Sequence, residues 1–462
     1  MATAAPHGPW TPAALTPVVA GALLVPLAAA LGALVAYDPA LGVAGCVAVV
    51  FAAVVLLSLP VALGGLVALI FVSGLPGMIG VPAASTAVVG FAWFATLPAR
   101  RAQLVALRGP GRLALWAPWI LFAWMGATAA WAPDGGLAAS RMWQVFAAVV
   151  AVPIIATGAD RPRTVRIVVA AYVAGAAGIV LAAIVLGPSS YAHADPSNGR
   201  LEVANFSANL LGATAASALV LVPAVWRMTR RADLRLVVAG LGALLLYGLV
   251  GTQSRSGVVA LAVAALAALV VCRGRRRAIA AGIAVAVAGL ALFVALQPGL
   301  LERTQGGDST GRTDIWKAAV AVWHDHPVGG VGVGNFTVVS PRYALRLGAL
   351  DAPDFVTVDP MPPHNLVLEA LAETGVVGLA LVLLAVGACV AATLRAARLL
   401  GRHGDDELAF LAQLVLVAQV AIVTAGMFLP VTANRQLWTL LALGPALLGL
   451  ALRGRSRTEA LA

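Results

Sequence analysis

The chain has little charge, few aromatic residues and almost no cysteine. Of its 462 residues, 11% are charged and 6% are aromatic, whereas 61% are hydrophobic. Soluble globular proteins contain about a quarter charged residues, so this composition excludes an ordinary soluble protein. The mean hydropathy of +0.95 is instead typical of a protein that lies largely within a membrane.

Cysteine and lysine are nearly absent. The three cysteines, Cys46, Cys272 and Cys389, lie inside apolar runs, which excludes a disulfide framework and a cysteine metal cluster. All but one of the 30 basic residues are arginine, and the formal net charge is +11. Because these arginines form short clusters between apolar runs, they indicate membrane topology and predict no nucleic-acid partner.

Long apolar runs are what the sequence has instead. A helix needs about 20 apolar residues to cross the hydrocarbon core of a bilayer. The runs near that length cover 13–36, 39–57, 61–79, 82–98, 113–131, 142–157, 166–187, 206–226, 236–252, 257–272, 278–296, 366–394, 407–429 and 436–452. Because Pro60 and Pro76 break the stretch from Leu41 to Gly80, one span fewer or a re-entrant piece is the alternative there. We therefore predict an all-α fold, a polytopic transmembrane helical bundle of 12–14 spans.

The arginine clusters give this bundle an orientation. With the C-terminus in the cytoplasm, 21 of the 30 basic residues fall in internal loops, as expected when cytoplasmic loops retain Arg and Lys. The chain then has an N-terminal transmembrane bundle (1–296), one large helical external loop (297–363) and C-terminal transmembrane helices (364–462). We interpret the first apolar run as a retained helix.

An amphipathic helix is predicted near the start of the external loop. Ile315, Ala318, Ala319 and Val322 recur at helical spacing, which places Arg312 at the N-terminus of that helix. Free backbone N–H groups and an arginine together suit a phosphate, and a solvated helix with a surface arginine is the alternative. The glycine-rich segment that follows lacks the Lys-Ser/Thr of a phosphate loop and predicts a close-packed turn.

The nearest approach to a metal-binding motif is His324-Asp325-His326. Alternate residues at a helix end point apart, and no other His, Cys or carboxylate cluster completes a coordination sphere. We therefore predict neither a metal nor another cofactor.

His364 is the residue best suited to proton transfer. It follows two prolines, which are typical of the start of a helix, and the dipole of that helix disfavours the charged imidazolium. A neutral imidazole at a water-accessible membrane edge is a competent general base, and a histidine that only caps the helix is the alternative. Asn365, Glu369 and Glu373 follow at every fourth position. They predict a polar stripe that faces a cavity, where Asn365 and Glu369 would bind substrate.

Two isolated arginines, Arg200 and Arg255, fall on the predicted external side. Each stands against the charge bias of the loops, and Glu202 is the only acidic residue near either on its own turn. An external anion is therefore the predicted partner, more strongly for Arg255 than for Arg200. Interfacial snorkelling is the alternative for both.

These motifs together resemble the O-antigen ligase and polymerase superfamily of bacterial polytopic membrane proteins. His364-Asn365 is followed after nine residues by Gly375 and then by Gly378, as in the ligase-type motif. Residues 311–336 are similar to the segment that opens the family's large external loop, and the two isolated arginines lie in sequences similar to its earlier arginine motifs. The resemblance runs from about residue 200 to residue 378.

The resemblance implies a metal-independent glycosyltransferase of the GT-C type in the bacterial inner membrane, with its active site on the periplasmic side. The donor would be a glycan on undecaprenyl diphosphate, and the acceptor a lipid A-core-like glycolipid or another molecule of the cell envelope. His364 would deprotonate the acceptor hydroxyl, while Arg312 and Arg255, with Arg200, would hold the diphosphate.

Two other functions stay open. A polymerase of the same superfamily extends the glycan on its own carrier, although the His-Asn motif favours a ligase. A transporter of lipid-linked glycans is the second alternative. Against it, the polar residues concentrate at one face of the membrane, and no inverted repeat with paired broken helices is evident.

The orientation is testable by single-cysteine labelling. In a chain whose own cysteines are replaced by alanine, an impermeant thiol reagent applied to intact cells should label Val338→Cys and leave Arg275→Cys unlabelled, because only the first faces outward. The reverse pattern would place the proposed site in the wrong compartment.

Overall fold

The computed structural model divides into two units, residues Met1–Leu57 and Ser58–Ala462, and all the helices numbered in the next paragraph belong to the second unit. The structure describes residues 58–75, 78, 80–97, 109–187, 199–203, 205–295, 311–347, 350, 354–430 and 432–461, and isolated positions before 58. The predicted segments 13–36 and 39–57 therefore lie outside the described residues.

The described residues form α-helices joined by short connections. The helices are α1 (Leu59–Leu69), α2 (Val81–Thr96), α3 (Pro110–Thr128), α4 (Gly135–Val149), α5 (Ala151–Gly158), α6 (Pro162–Leu186), α7 (Ala208–Met228), α8 (Ala232–Gly251), α9 (Arg255–Val271), α10 (Arg276–Ala295), α11 (Arg312–Asp325), α12 (Phe336–Leu347), α13 (Asp354–Thr357), α14 (Leu366–Arg402), α15 (Asp406–Ala425) and α16 (Arg435–Leu461). Apart from one isolated bridge, Val203 with Phe206, no β-structure occurs in the part of the chain that the structure describes. The all-α prediction is confirmed.

Local sequence explains where the helices begin. Proline stands at the first or second position of α1, α2, α3 and α6, where its missing N–H is not needed. Asp134, Ser207, Ser254 and Asp405 each cap a following helix by accepting a hydrogen bond from a backbone N–H three residues on. These side chains satisfy donors that the helix itself leaves unpaired.

The helices are long and apolar enough for a polytopic membrane protein. Among the described residues, eight helical segments meet the length and composition of a membrane span: Pro110–Trp131, Gly135–Gly158, Pro162–Leu186, Ala208–Met228, Ala232–Gly251, Leu366–Arg402, Asp406–Phe428 and Arg435–Gly454. A ninth arises if α9 and the first part of α10, bent by 101°, count as one broken span. Helix α1, with 11 residues, is shorter than a span and carries Pro60 in its first turn. Each predicted segment from residue 61 onwards overlaps a described helix.

The predicted internal arginines meet at one end of the bundle. Arg166 at the start of α6 pairs with Glu407 at the start of α15, with 3.1 Å between Nη2 and Oε2. Arg453 near the end of α16 donates to the backbone oxygen of Asp160, just before α6, at 2.5 Å. The loops that the charge pattern groups together are therefore neighbours in space.

Helix α14 breaks inside an otherwise continuous apolar run. Gly375 has φ 70° and ψ −171°, a conformation that L side chains rarely adopt. The break separates the short first part of α14, up to Thr374, from the longer part that continues to Arg402. Backbone groups freed in this way must find partners, because hydrocarbon offers none.

The glycine-rich segment 327–335 supplies those partners. The N–H groups of Val331 and Gly332 donate to the backbone oxygens of Ala372 and Glu373, both at 2.9 Å, and the N–H of Val376 donates to the oxygen of Pro327 at 2.9 Å. Gly330, Gly332 and Gly334 all have positive φ. The predicted close-packed turn is confirmed, and its N–H groups are used by the protein.

Replacing Gly375 should destabilise the protein through this contact. A Cβ at Gly375 would collide with the backbone oxygen of Val328, so Gly375→Ala combines a left-handed conformation with overpacking and should lower the free energy of unfolding by roughly 2–4 kcal/mol. Denaturant unfolding in detergent measures the change. The matched control is Gly387→Ala in the same helix, where a Cβ meets no atom within 4 Å. Equal stability of the two variants would contradict the proposed close contact.

Candidate functional site

Helix α11 is held by a small hydrophobic core of its own. Ile315, Ala318, Ala319 and Val322 are buried against apolar side chains of α12 and against Ala372 of α14. The predicted apolar face of this helix is thus confirmed. The same helix carries Trp316 one turn after Arg312.

Three arginines from distant parts of the chain converge at the start of α11. Arg312 is the first residue of α11, after Gly311 with φ 67°, and Arg255 is the first residue of α9. Burial, and then the positive charges of Arg200 and Arg255, lower the pKa of the Arg312 guanidinium. The three side chains that the sequence singled out separately therefore lie close enough to interact electrostatically, next to two helix N-termini.

A single hydrogen-bond network fixes Arg200 against the start of α9. Its Nε donates to the backbone oxygen of Thr252 at 3.1 Å, and its Nη2 donates to Oδ1 of Asn209 at 3.2 Å. The same Oδ1 accepts a hydrogen bond from Oγ of Ser254, the N-cap of α9, at 3.1 Å. Asn209 therefore links the loop that carries Arg200 to the helix that carries Arg255.

His364 lies beside this arginine cluster. Nε1 of Trp316 donates to the backbone oxygen of Pro363 at 2.9 Å, which ties the residue before His364 to the helix that begins at Arg312. His364 is half-buried and has φ 48°, a strained conformation for a residue other than glycine. Strain of this kind persists only where the surroundings impose it, and it is common at functional sites.

The helix begins later than the sequence indicates. The two prolines predict His364 in the first turn of α14, whereas α14 begins at Leu366 and Asn365 is its N-cap. The reason is the Asn365 side chain, whose Oδ1 accepts from the N–H groups of Val367 and Leu368 at 2.9 and 3.1 Å. His364 thus precedes the helix.

The charge state of His364 is set by its surroundings. Burial, and then the positive charge of Arg312, lower the pKa of His364 to about 4. Its Nδ1 is buried and has no hydrogen-bond partner in the described part of the chain. The imidazole is therefore neutral at physiological pH, as a general base requires.

Asn365 and Glu369, expected to bind substrate, have protein partners. Nδ2 of Asn365 donates to the backbone oxygen of Met427 at 3.0 Å. Oε1 of Glu369 lies 2.8 Å from Nη2 of Arg141 and accepts from Oγ1 of Thr432 at 2.5 Å. These contacts favour a role in holding α14 against α4 and the start of α16, because a buried carboxylate needs a cation and hydrogen bonds.

Sequence reasoning missed the ion pair between Arg141 and Glu369. The charge pattern marks Arg141 only as one more external basic residue. A usable signal is present, since a basic and an acidic residue inside two apolar spans tend to pair with one another. A local pattern does not identify the partner of Arg141, because Glu369 lies 228 positions away in the sequence.

An open groove of about 630 Å³ runs along α11. Its lining is mostly apolar and includes Trp316, Val320, Leu347 and Leu368, with Lys317 and His324 also contributing. A groove of this composition suits a hydrocarbon chain.

The histidines at the end of α11 are placed differently. His324 is exposed, and Asp325 pairs with Arg346 of α12, with 2.9 Å between Oδ2 and Nη1. No group of three or more potential metal ligands occurs among the residues described.

Part of the chain matches a known protein family. Residues 240–383 match the family model described as O-antigen ligase, which confirms the resemblance over that segment. The matched segment contains Arg255, Arg312, His364 and Gly375. No curated protein matches the chain.

Proposed function

We propose that this protein is a ligase-type glycosyltransferase that moves a glycan from undecaprenyl diphosphate to an acceptor hydroxyl at the outer face of the bacterial inner membrane. The match to O-antigen ligase supports activity of the ligase or polymerase type. The observation that carries the proposal is the juxtaposition of one neutral histidine with a cluster of three arginines.

The arginine cluster suits the leaving group. Arg312, Arg255 and Arg200 bring three guanidinium groups near two helix N-termini, and guanidinium groups bind phosphate oxygens in a bidentate manner. As the bond between the anomeric carbon and the diphosphate breaks, negative charge grows on the departing oxygen. Fixed positive groups at that position stabilise the transition state.

His364 suits the other half of the reaction. The acceptor hydroxyl loses its proton to the neutral imidazole as its oxygen attacks the anomeric carbon, and the glycan is transferred to the acceptor while undecaprenyl diphosphate departs. The open apolar groove beside Trp316 supports a lipid substrate at this position. The proposed reaction requires no metal, because the diphosphate is already a good leaving group.

A transporter of lipid-linked glycans is less well supported. Broken helices in transporters offer their freed backbone groups to a substrate or ion. At Gly375, the glycine-rich segment pairs with Ala372, Glu373 and Val376 on both sides of the break. These backbone groups are therefore not available to a transported molecule.

Incubation of the purified protein with an undecaprenyl-diphosphate glycan and candidate acceptors, followed by mass analysis, tests the proposal. A ligase yields glycan on the acceptor, and a polymerase yields longer glycans on undecaprenyl diphosphate. If neither product forms while the donor remains intact, both the ligase and the polymerase function are refuted.

Removing the base should abolish transfer and leave donor binding intact. Loss of a general base typically lowers the rate about a hundred- to ten-thousand-fold, so His364→Ala should bind the donor normally and transfer almost no glycan. The matched control is His326→Ala, because His326 is exposed at the end of α11. Near wild-type turnover with lost donor binding would instead make His364 a binding group.

The pH profile of the wild-type protein gives an independent readout of the same group. Protonation of His364 removes the base, so kcat/KM should hold through neutral and mildly acidic pH and fall as pH drops through about 4, the lowered pKa of His364. A fall centred near the usual histidine value would contradict the burial of this group in the free protein.

Arginine geometry at the leaving group is tested by Arg312→Lys. The substitution keeps the charge and loses the planar fork, so activity should fall about tenfold or more, whereas Arg342→Lys, at an exposed position of α12, should have little effect. Glycan transfer at fixed donor concentration measures both. Full activity of Arg312→Lys would show that a point charge suffices.

A further inference from the structure

A second arginine cluster lies among the loops that the charge pattern assigns to the cytoplasm. Arg227 is in the last turn of α7, and Arg275 is in the short turn between α9 and α10. Their guanidinium carbons lie 5.2 and 4.7 Å from the centroid of the Phe410 ring at the start of α15. Both distances are measured to the centre of the same ring. The guanidinium carbons of Arg227 and Arg275 are therefore no further apart than the sum of the two distances.

A third arginine borders the same place. Arg166 of α6 lines a small cavity of about 10 Å³ together with Arg227, Glu407 and Phe410. Arg166 pairs with Glu407 through Nη2, while its Nε is buried and has no hydrogen-bond partner among the described residues. Three helices and one inter-helix turn thus bring three guanidinium groups together near the start of α15, where Asp405 and Asp406 stand beside Glu407.

The charges of Arg227 and Arg275 are not paired within this cluster. Across the described part of the chain, neither Arg227 nor Arg275 forms an ion pair with a carboxylate, and the Phe410 ring is uncharged. Contact with an aromatic face stabilises a cation but does not cancel the repulsion between two of them. An anion bound between the guanidinium groups would cancel it.

The surroundings indicate that the anion belongs to a lipid. The cluster lies at the ends of membrane-spanning helices, where phospholipid headgroups are found. The face of α9 that points away from α15 exposes Leu266 and Val270, at 64% and 60% of their full accessibility, as expected for a helix surrounded by acyl chains. Basic pockets between spanning helices on the cytoplasmic side are known to bind anionic lipid headgroups.

We propose that Arg166, Arg227 and Arg275, gathered around Phe410, form a binding site for the phosphate of an anionic phospholipid. This site is separate from the cluster around Arg312, and the proposal does not depend on the reaction proposed above. The lipid would join α6, α7, α9 and α15 at their common end.

Thermal unfolding of the full-length protein in detergent tests the site. Short-chain phosphatidylglycerol should raise the melting temperature, since a ligand that binds only the folded state stabilises it. Phosphatidylcholine and inorganic phosphate at the same concentration should not. An equal effect of phosphatidylcholine, or of inorganic phosphate, would overturn the proposal of an anionic lipid.

Matched variants locate the binding. Arg227→Gln combined with Arg275→Gln should weaken phosphatidylglycerol binding about tenfold or more, because two charge-assisted contacts are lost. Arg230→Gln combined with Arg277→Gln removes the same charge from the same loops at exposed positions and should change the affinity little. Equal losses in the two double variants would reduce the effect to general charge attraction and overturn the site.

A second measurement does not require the variants to fold. Native mass spectrometry of the wild-type protein should find anionic phospholipid retained above its share in the source membrane. Retention in proportion to the bulk lipid would overturn the proposal.

Discussion

A helix that breaks within an apolar layer must have its freed backbone groups paired, and the rest of the site depends on how this protein meets that constraint. At Gly375 the partners come from the segment 327–335, which immediately follows α11. Main-chain hydrogen bonds therefore fix the end of α11 against α14 at its break, near the N-terminal end of that helix. Once that end is fixed, Trp316 reaches the oxygen of Pro363, and His364 comes to lie beside Arg312.

Several of these features could be predicted because they depend on local chemistry. Apolar length defines the helices from residue 61 onwards, and the spacing of Ile315, Ala318 and Val322 locates α11 with Arg312 as its first residue. The glycine-rich segment was correctly predicted as a close-packed turn, because it lacks the residues that bind a nucleotide phosphate. In each case the feature is determined by a few residues that are neighbours in the sequence.

The features that escaped prediction depend on residues far apart in the sequence. The polar stripe after His364 was predicted to face a cavity and to bind substrate, and Glu369 and Glu373 are buried. The protein partners of this stripe were not predicted, because Glu369 pairs with Arg141 of α4 and Asn365 caps α14. Periodicity tells which face of a helix is polar, but only the packing of other helices decides whether a substrate or the protein itself fills that face.

A bound donor would change the electrostatic surroundings of His364 in the proposed reaction. In the free protein the positive charge of Arg312 contributes to the low pKa of His364, so the imidazole is neutral but accepts a proton only weakly. A bound diphosphate would offset the charge of the arginine cluster and so remove the second cause of the lowered pKa of His364, while burial, the larger cause, would remain. In the proposed reaction the base would therefore be stronger with the donor in place than in the free protein. Deprotonation of an acceptor hydroxyl would then be favoured when the bound donor offers an anomeric carbon for its oxygen to attack.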